Sequence, residues 1–321
     1  MLVYDNSLIA AFPLNKNIRV QAVTLKSANP ASSYLHKIKD FFDDVRALRS
    51  CGKIFNDSDL IIATDYLFSV FIFFSNRKLA KKLIAWEHSS YTLWPSFAWS
   101  RVRNYVYPKL KMIVALNKAE QSFFERLGCT ATTIPNMVMQ QNPLDLTNKN
   151  TAVWVGAFIA RKGVAELIEL AKMIKQESGP SIHVFGDGEL KDVLKAAIKE
   201  HALENILILK GIESNVENIY TDAALLIMTS NNECLPMVIL EAFSFGIPVV
   251  SFDCDTGPRY IIHDKQDGYL IKQGDVRGMY QTIKRAMGDE DSLREMGRAA
   301  FISSKKYYPE AVYPMWRSVL A

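Results

Sequence analysis

The second half of this 321-residue chain holds two carboxylates and a pair of cations whose spacing suits chemistry on an anionic ligand. In the stretch SNNECLPMVILEAFSFG at 230–246, Pro236 suits the first turn of a helix, where its missing N–H is harmless. Met237, Ile239, Leu240 and Phe243 then form an apolar stripe, and Gly246 followed by Pro248 ends the helix. Glu233 therefore falls in the loop before the helix, and Glu241 about one and a half turns inside it. Both carboxylates can face one ligand. The backbone N–H groups of Leu235, Met237 and Val238 at the helix start favour an anion between them. Hydroxyls, then phosphates, then more hydroxyls would match that order of groups, which is the layout of a nucleotide sugar. Taken alone, two glutamates are more often a solvent-facing pair on a surface helix.

The cations stand in a second loop. A strand at 152–155 runs into GAFIARKG (156–163) and then into a helix, so Arg161 and Lys162 occupy a strand-to-helix turn. There an arginine fork and a lysine point charge can grip a pyrophosphate, although an RKG turn by itself is usually solvated surface. The next strand leaves through a tight GDG turn at 186–188. His88, in AWEHSS at 85–90, ends a strand of the first half, a position as often held by a satisfied structural histidine. The four remaining histidines show no metal spacing.

The elements that must position these residues follow from apolar runs. In the second half strands are expected at 152–155, 182–185, 206–209, 225–229, 248–252 and 269–271, with helices at 163–176 and 190–201 between some of them. In the first half strands are expected at 19–25, 60–63, 83–86, 112–116 and 131–134, and helices at 34–49 and 118–127. Alternating strands and helices imply parallel sheets covered on both faces, which bind ligands at the carboxyl ends of their strands. The fold class is α/β, with two Rossmann-like parallel-sheet domains facing a cleft. Thirteen of the 15 glycines lie beyond residue 147, and the net charge changes from +7 before that point to −3 after it. The polar, proline-bearing stretch 135–150 separates the two. We therefore expect two domains, at 1–147 and 148–303, followed by a C-terminal helix within 304–321.

Composition excludes several classes. With 49% hydrophobic and 22% charged residues the chain is an ordinary folded protein, neither disordered nor collagenous. Its most apolar run, 66–74, is far short of the ~20 residues a membrane span needs, and no signal peptide precedes the first strand. Four scattered cysteines without a CxxC pair read as free thiols, which with the rest implies a cytoplasmic protein.

Together the Glu233-x7-Glu241 pair, the VG-x5-KG turn ending at Lys162-Gly163, the GDGEL turn and SFDCDTGP at 251–258 resemble the donor domain of GT-B glycosyltransferases, in particular retaining family 4. The weaker VALNKAE and IPN runs at 114–136 extend the resemblance into the first half. It implies that 1–147 is the acceptor-side domain and 148–303 the donor domain, that the helix within 304–321 crosses back to the first domain, and that Arg161 and Lys162 hold the donor diphosphate. Glu233 would act at the transferred sugar, with the backbone of Cys234, Leu235, Pro236, Met237 and Val238 binding beside it, and Glu241 would take the ribose hydroxyls. The loop at Ile212 and Glu213 would meet the base through backbone groups, and His88 would meet the reacting sugar. The likeness to surface-polysaccharide and lipopolysaccharide enzymes around SFDCDTGP implies a UDP-linked hexose or N-acetylhexosamine donor and a lipid-linked or polysaccharide acceptor.

Three departures stand out. No glycine precedes Gly52, so the first domain lacks the usual first strand and glycine-rich loop and reads as shortened. Ala157 stands where the family usually has Arg, and Tyr260 where a Glu is common. The absent loop motivates a second reading, an inactive relative serving as a binding subunit. A dinucleotide-dependent oxidoreductase is excluded, because no GxGxxG follows any expected strand. Asp253-Cys254-Asp255 has the form of a metal-binding DxD, yet the same form recurs at 57–59 and 289–291. With cations and helix amides facing the phosphates, neither a metal nor another cofactor is expected. The cluster RKLAKK at 77–82, and the mixture of Trp94, Phe97, Trp99, Tyr105 and Tyr107 with Arg101, Arg103, Lys109 and Lys111, suit an anionic membrane surface on its inner face. A core helix with a solvated basic face fits them equally. Nucleic acid is not expected, because no reading motif accompanies the charge.

Overall fold

In the computed structural model, residues 2–3, 21–23, 34–92, 97–177 and 179–321 are described. The chain forms two compact units, Met1–Ala115 with Gln121–Thr132, and Leu116–Glu120 with Thr133–Ala321.

In the first unit, strands β1 (Leu2–Val3) and β2 (Gln21–Ala22) form a short parallel pair. Strands β3 (Ile61–Ala63), β4 (Leu83–Trp86), β5 (Met112–Ala115) and β6 (Ala131–Thr133) form a four-stranded sheet in sequential order. The strand expected at 19–25 is described only at residues 21–23, and the segment expected to lack a glycine-rich loop lies mostly outside the described residues. Helices α1 (Tyr34–Ser50), α2 (Gly52–Asp57), α3 (Tyr66–Ser75), α4 (Phe97–Val106) and α5 (Lys118–Arg126) intervene.

The apolar run at 66–74 is helix α3, with Ser69 to Phe73 buried. The Asp65 carboxylate caps it by accepting from the Leu67 N–H at 2.7 Å. Phe71 and Phe74 meet Phe41 edge to face, and Trp99 joins them. Each such pair adds about 0.5–1.5 kcal/mol beyond area burial.

Part of the aromatic and basic mixture at 94–111 turns inward. Trp99 belongs to the aromatic core. Tyr107 is buried and donates its hydroxyl to Glu87, and Arg103 is buried with its guanidinium 4.9 Å from the Phe123 ring centre. Trp94 and the Phe97 side chain lie outside the described residues. Arg101, Tyr105, Lys109 and Lys111 remain exposed, as do Arg77, Lys78 and Lys81. Among the described residues, no helix is long and apolar enough to cross a membrane.

In the second unit, strands β7 (Thr151–Val155), β8 (Ser181–Phe185), β9 (Leu207–Gly211), β10 (Leu225–Met228), β11 (Val249–Asp253) and β12 (Gly268–Lys272) form one parallel sheet in the order β12-β11-β10-β7-β8-β9. Helices α6 (Val164–Gln176), α7 (Lys191–Glu200), α8 (Val216–Tyr220), α9 (Met237–Ser244), α10 (Val276–Met287), α11 (Glu290–Ser304) and α12 (Pro309–Leu320) complete it. The central strands are apolar along their length, as strands buried on both faces must be: Leu225, Leu226, Val249, Val250 and Phe252 are all sealed from water.

The order of the strands matters more than their number. From β7 the chain steps outward through β8 and β9, then returns to β7's other side and steps outward through β10, β11 and β12. The winding reverses between β7 and β10, whose carboxyl ends thus flank the point where open α/β sheets take ligands. The polar segment after Thr133 lies against this unit, with Leu146 buried and the Leu144 N–H donating to the Phe245 carbonyl at 2.8 Å.

Candidate active site

Two loops leave the carboxyl ends of β7 and β10, and they are fastened to each other. The first passes through a short 3-10 turn, Ala160–Lys162, to Gly163 with φ 75°. No other residue suits that position, because a Cβ would strike the Thr229 carbonyl oxygen. The Thr229 hydroxyl lies 3.0 and 2.9 Å from the carbonyls of Lys162 and Gly163, and it accepts from Trp154 Nε1 at 2.9 Å. The Asn231 N–H donates to the Arg161 carbonyl at 2.9 Å. Behind the first loop, the GDG turn supplies the Asp187 carbonyl to the Phe158 N–H at 2.8 Å.

These constraints bring the expected carboxylate and cations into one cluster. Glu233 Oε1 lies 2.6 Å from Lys162 Nζ, and Oε2 lies 3.8 Å from Arg161 Nη1. Arg161 Nη1 also donates to the Asn232 carbonyl at 3.0 Å. The Glu233 side chain is only 8% exposed, so its charge needs these partners. The sequence separates the roles of Glu233 and the cations, whereas here they neutralise one another. Cys254, buried nearby with its thiol pushed up to about 12 by desolvation and by the Glu233 charge, is chemically quiet.

The loop from Glu233 to Pro236 is held by groups that sequence reading missed. The Thr256 hydroxyl donates to the Glu233 carbonyl, and Asn117 Nδ2 donates to the Cys234 carbonyl at 2.9 Å. Gly257, with φ 90°, lets the Thr256 segment approach, since a Cβ there would stand 2.9 Å from Glu233 Cβ. Thr256 lay in plain view within SFDCDTGP. Asn117 was signalled only by its spacing to Glu120, an Asn-x-x-Glu helix start: its Oδ1 accepts from the Glu120 N–H at 2.9 Å.

Pro236 is the cap residue just outside α9 rather than its first residue, and it offers no capping side chain. The Ile239 N–H donates to the Pro236 carbonyl at 3.1 Å, so the amides of Met237 and Val238 are the ones directed out of the helix start. Cys234, Leu235 and Pro236 are buried, while Met237 and Val238 are half-buried. Glu241 is half-buried on α9, and desolvation holds its carboxyl above the ordinary glutamate value. Its charge adds to burial in raising the Tyr220 hydroxyl, which donates to the Val238 carbonyl at 3.0 Å.

After β9, Ile212 stands exposed and Glu213 folds back on its own loop, accepting from the Asn215 N–H at 2.7 Å and from Asn218 Nδ2 at 3.2 Å. Those bonds lower its pKa. Asp253 of the DxD-like run is bound by Arg259 through two hydrogen bonds of 2.9 and 3.0 Å. Among the described residues, no group of three or more His, Cys, Asp or Glu is placed to hold a metal.

His88 belongs to the first unit, two residues past β4. Its ring centroid lies 4.4 Å from that of Trp86; the residue is exposed overall, and partial desolvation lowers its pKa, favouring neutral imidazole.

The family described as Glycosyl transferases group 1 matches residues 139–302, about half the chain, and this chain belongs to it. An uncharacterized glycosyltransferase of Haemophilus influenzae is 24% identical over 88% of this chain and 81% of its own length. A Staphylococcus aureus poly(ribitol-phosphate) alpha-N-acetylglucosaminyltransferase is 28% identical over 57% of this chain and 38% of its own length. The chain spans less than half the length of several of the curated relatives it matches. The solved structure of Anabaena Alr3699/HepE in complex with UDP-glucose shares the fold at TM-score 0.77, with 18% identity over 94% of this chain and 86% of that one. The α/β architecture with two parallel-sheet domains is thus that of the GT-B glycosyltransferases.

Proposed function

We propose that this group 1 glycosyl transferase moves a hexose or N-acetylhexosamine from a UDP-linked donor to a lipid-linked or polysaccharide acceptor in surface-glycan assembly, retaining the anomeric configuration. The single observation that supports it most is the Arg161–Lys162–Glu233 cluster at the winding reversal between β7 and β10, with the α9 amides following directly. A relative named for N-acetylglucosaminyl transfer to poly(ribitol-phosphate), and a structural neighbour described with UDP-glucose, support the donor and acceptor classes.

In this reading the donor diphosphate draws Arg161 and Lys162 away from Glu233. The freed carboxylate then accepts from the sugar hydroxyls while Glu241 accepts from the ribose hydroxyls. The bond between the anomeric carbon and the phosphate oxygen breaks, and its electron pair leaves with UDP. The acceptor oxygen bonds to the same face of the sugar, and its proton passes to the departing phosphate oxygen. Negative charge grows on that phosphate in the transition state, where the two cations and the amides stabilise it most. Neutral His88 would hydrogen-bond the reacting sugar without adding charge to a cationic transition state. Two cations and helix amides supply the charge that a divalent ion would supply, so we read the transfer as metal-independent. A lipid-linked acceptor would place the reaction on the cytoplasmic membrane face.

The test is transfer or hydrolysis of UDP- and GDP-sugars by purified protein with and without EDTA. Glu233→Ala and Lys162→Ala should each lose at least about 100-fold in rate while keeping the fold. Unchanged turnover in either variant overturns the assignment. Donor binding with no turnover in the wild type would support the binding-subunit reading instead.

A further inference from the structure

Resting on the reading above, we propose that Asn117 is a positioning residue for the transfer, turning the amides of the Glu233 loop toward the donor. It follows β5 at the start of α5, 3% exposed, among residues 116–120 that belong to the second compact unit. Its side chain serves two masters. Oδ1 caps α5 by accepting from the Glu120 N–H at 2.9 Å, and Nδ2 donates to the Cys234 carbonyl at 2.9 Å.

The second bond fixes a direction. In a trans peptide the C=O and the following N–H point opposite ways, and no described peptide is cis. Holding the Cys234 carbonyl against Asn117 therefore turns the Leu235 N–H away from it. One residue earlier, Thr256 holds the Glu233 carbonyl and so turns the Cys234 N–H away from Thr256. Two consecutive peptide planes are thus set by side chains from outside the loop, one plane ahead of the peptide that carries the Met237 amide. Without Nδ2, the Cys234 carbonyl loses a donor at 2.9 Å, and the loop carrying Glu233 is freer to rock.

The substitution that isolates this role is Asn117→Ser. Serine is a good cap, so its hydroxyl preserves the α5 start, but it has no amide to give Cys234. Asn117→Asp keeps the shape and the cap while setting an anionic oxygen against the Cys234 carbonyl. We expect kcat for donor consumption to fall about 10- to 100-fold in Asn117→Ser and further in Asn117→Asp, with donor KM within about threefold. Hydrogen–deuterium exchange supplies a readout independent of turnover. A peptide covering 230–240 should exchange at least about 10-fold faster in Asn117→Ser, while one covering 118–126 is unchanged. Wild-type kcat with wild-type exchange in 230–240 overturns the proposal, as does equally faster exchange in 118–126, which would reduce Asn117 to a helix cap. Should the wild type consume no sugar nucleotide, the functional reading fails, yet the exchange experiment still decides whether Asn117 orders this loop.

Discussion

Breaking the Lys162–Glu233 pair tests the electrostatic core of the site before any substrate is known. In Lys162→Ala, a carboxylate that is 8% exposed loses a partner at 2.6 Å and keeps only Arg161 at 3.8 Å. Removing one member of a fully buried pair costs about 3–5 kcal/mol. Here the lysine side chain is 20% exposed and a second cation remains, so the cost should be nearer 1–3 kcal/mol. At about 2–4 °C per kcal/mol for a unit of this size, the midpoint should fall roughly 2–12 °C. Adding Glu233→Gln removes the stranded charge, and the double variant should recover at least half of the loss. Calorimetry of the wild type, both single variants and the double variant at low salt gives the coupling energy directly. A midpoint within about 1 °C of wild type in Lys162→Ala, or a double variant no better than the single one, refutes the argument that the pair is mutually neutralising.

Three further outcomes follow from local physics. Burial raises the Glu241 pKa, so between the unfolded value and the folded one the native state binds the extra proton. Stability on this account rises as pH falls through that window, and Glu241→Gln should raise the midpoint at pH 7, abolish the acid-side gain and weaken UDP binding, all readable by thermal shift with and without UDP. His88 has the opposite sign: its folded pKa is lowered, so acidification below the unfolded value of about 6.5 costs stability. His88→Asn should flatten that slope, and an unaltered profile would contradict the desolvation account. At Gly163 any side chain meets the Thr229 carbonyl in a left-handed conformation, so Gly163→Ala should cost more than about 2 kcal/mol or yield insoluble protein, whereas Gly128→Ala, with open space around it, should cost less.

The strands of the second unit were legible almost to the residue because parallel strands buried on both faces read as uninterrupted apolar runs bounded by glycine turns. Helix α3 was not, since a helix buried on every side has no polar face to betray its period and its run excludes only a membrane span. The aromatic and basic mixture of 94–111 left two readings open for a related reason. Composition cannot say that Tyr107 and Arg103 turn inward; their partners, buried Glu87 and half-buried Phe123, reveal it. At the candidate site, residue type and spacing singled out Glu233, Glu241, Arg161 and Lys162. Their pairing was hidden, because 71 residues separate Lys162 from Glu233 and only the reversal of winding between β7 and β10 makes them neighbours. Asn117 was hidden further still, acting through one amide hydrogen on a carbonyl 117 positions later.

That pairing also bears on how the site can be both stable and receptive. Two cations left facing each other at a strand-to-helix turn would repel and draw in any anion, whereas Glu233 cancels one of the two charges and leaves a net of about +1. A diphosphate ester carries two negative charges and offers several acceptor oxygens to the Arg161 fork and the Lys162 ammonium. On the proposed reading it would outbid one carboxylate for both cations, and the loop that carries the released carboxylate is held by the bonds of Thr256 and Asn117 to its backbone carbonyls. A single phosphate, having one charge fewer to exchange and no sugar to receive the freed Glu233, should compete poorly. UDP should accordingly raise the thermal midpoint well above what UMP achieves at equal concentration, and Glu233→Gln, which leaves the cations unpaired in the empty site, should narrow that gap by letting UMP bind more tightly. Equal stabilisation by the two nucleotides in the wild type would mean that the cations are not the diphosphate grip.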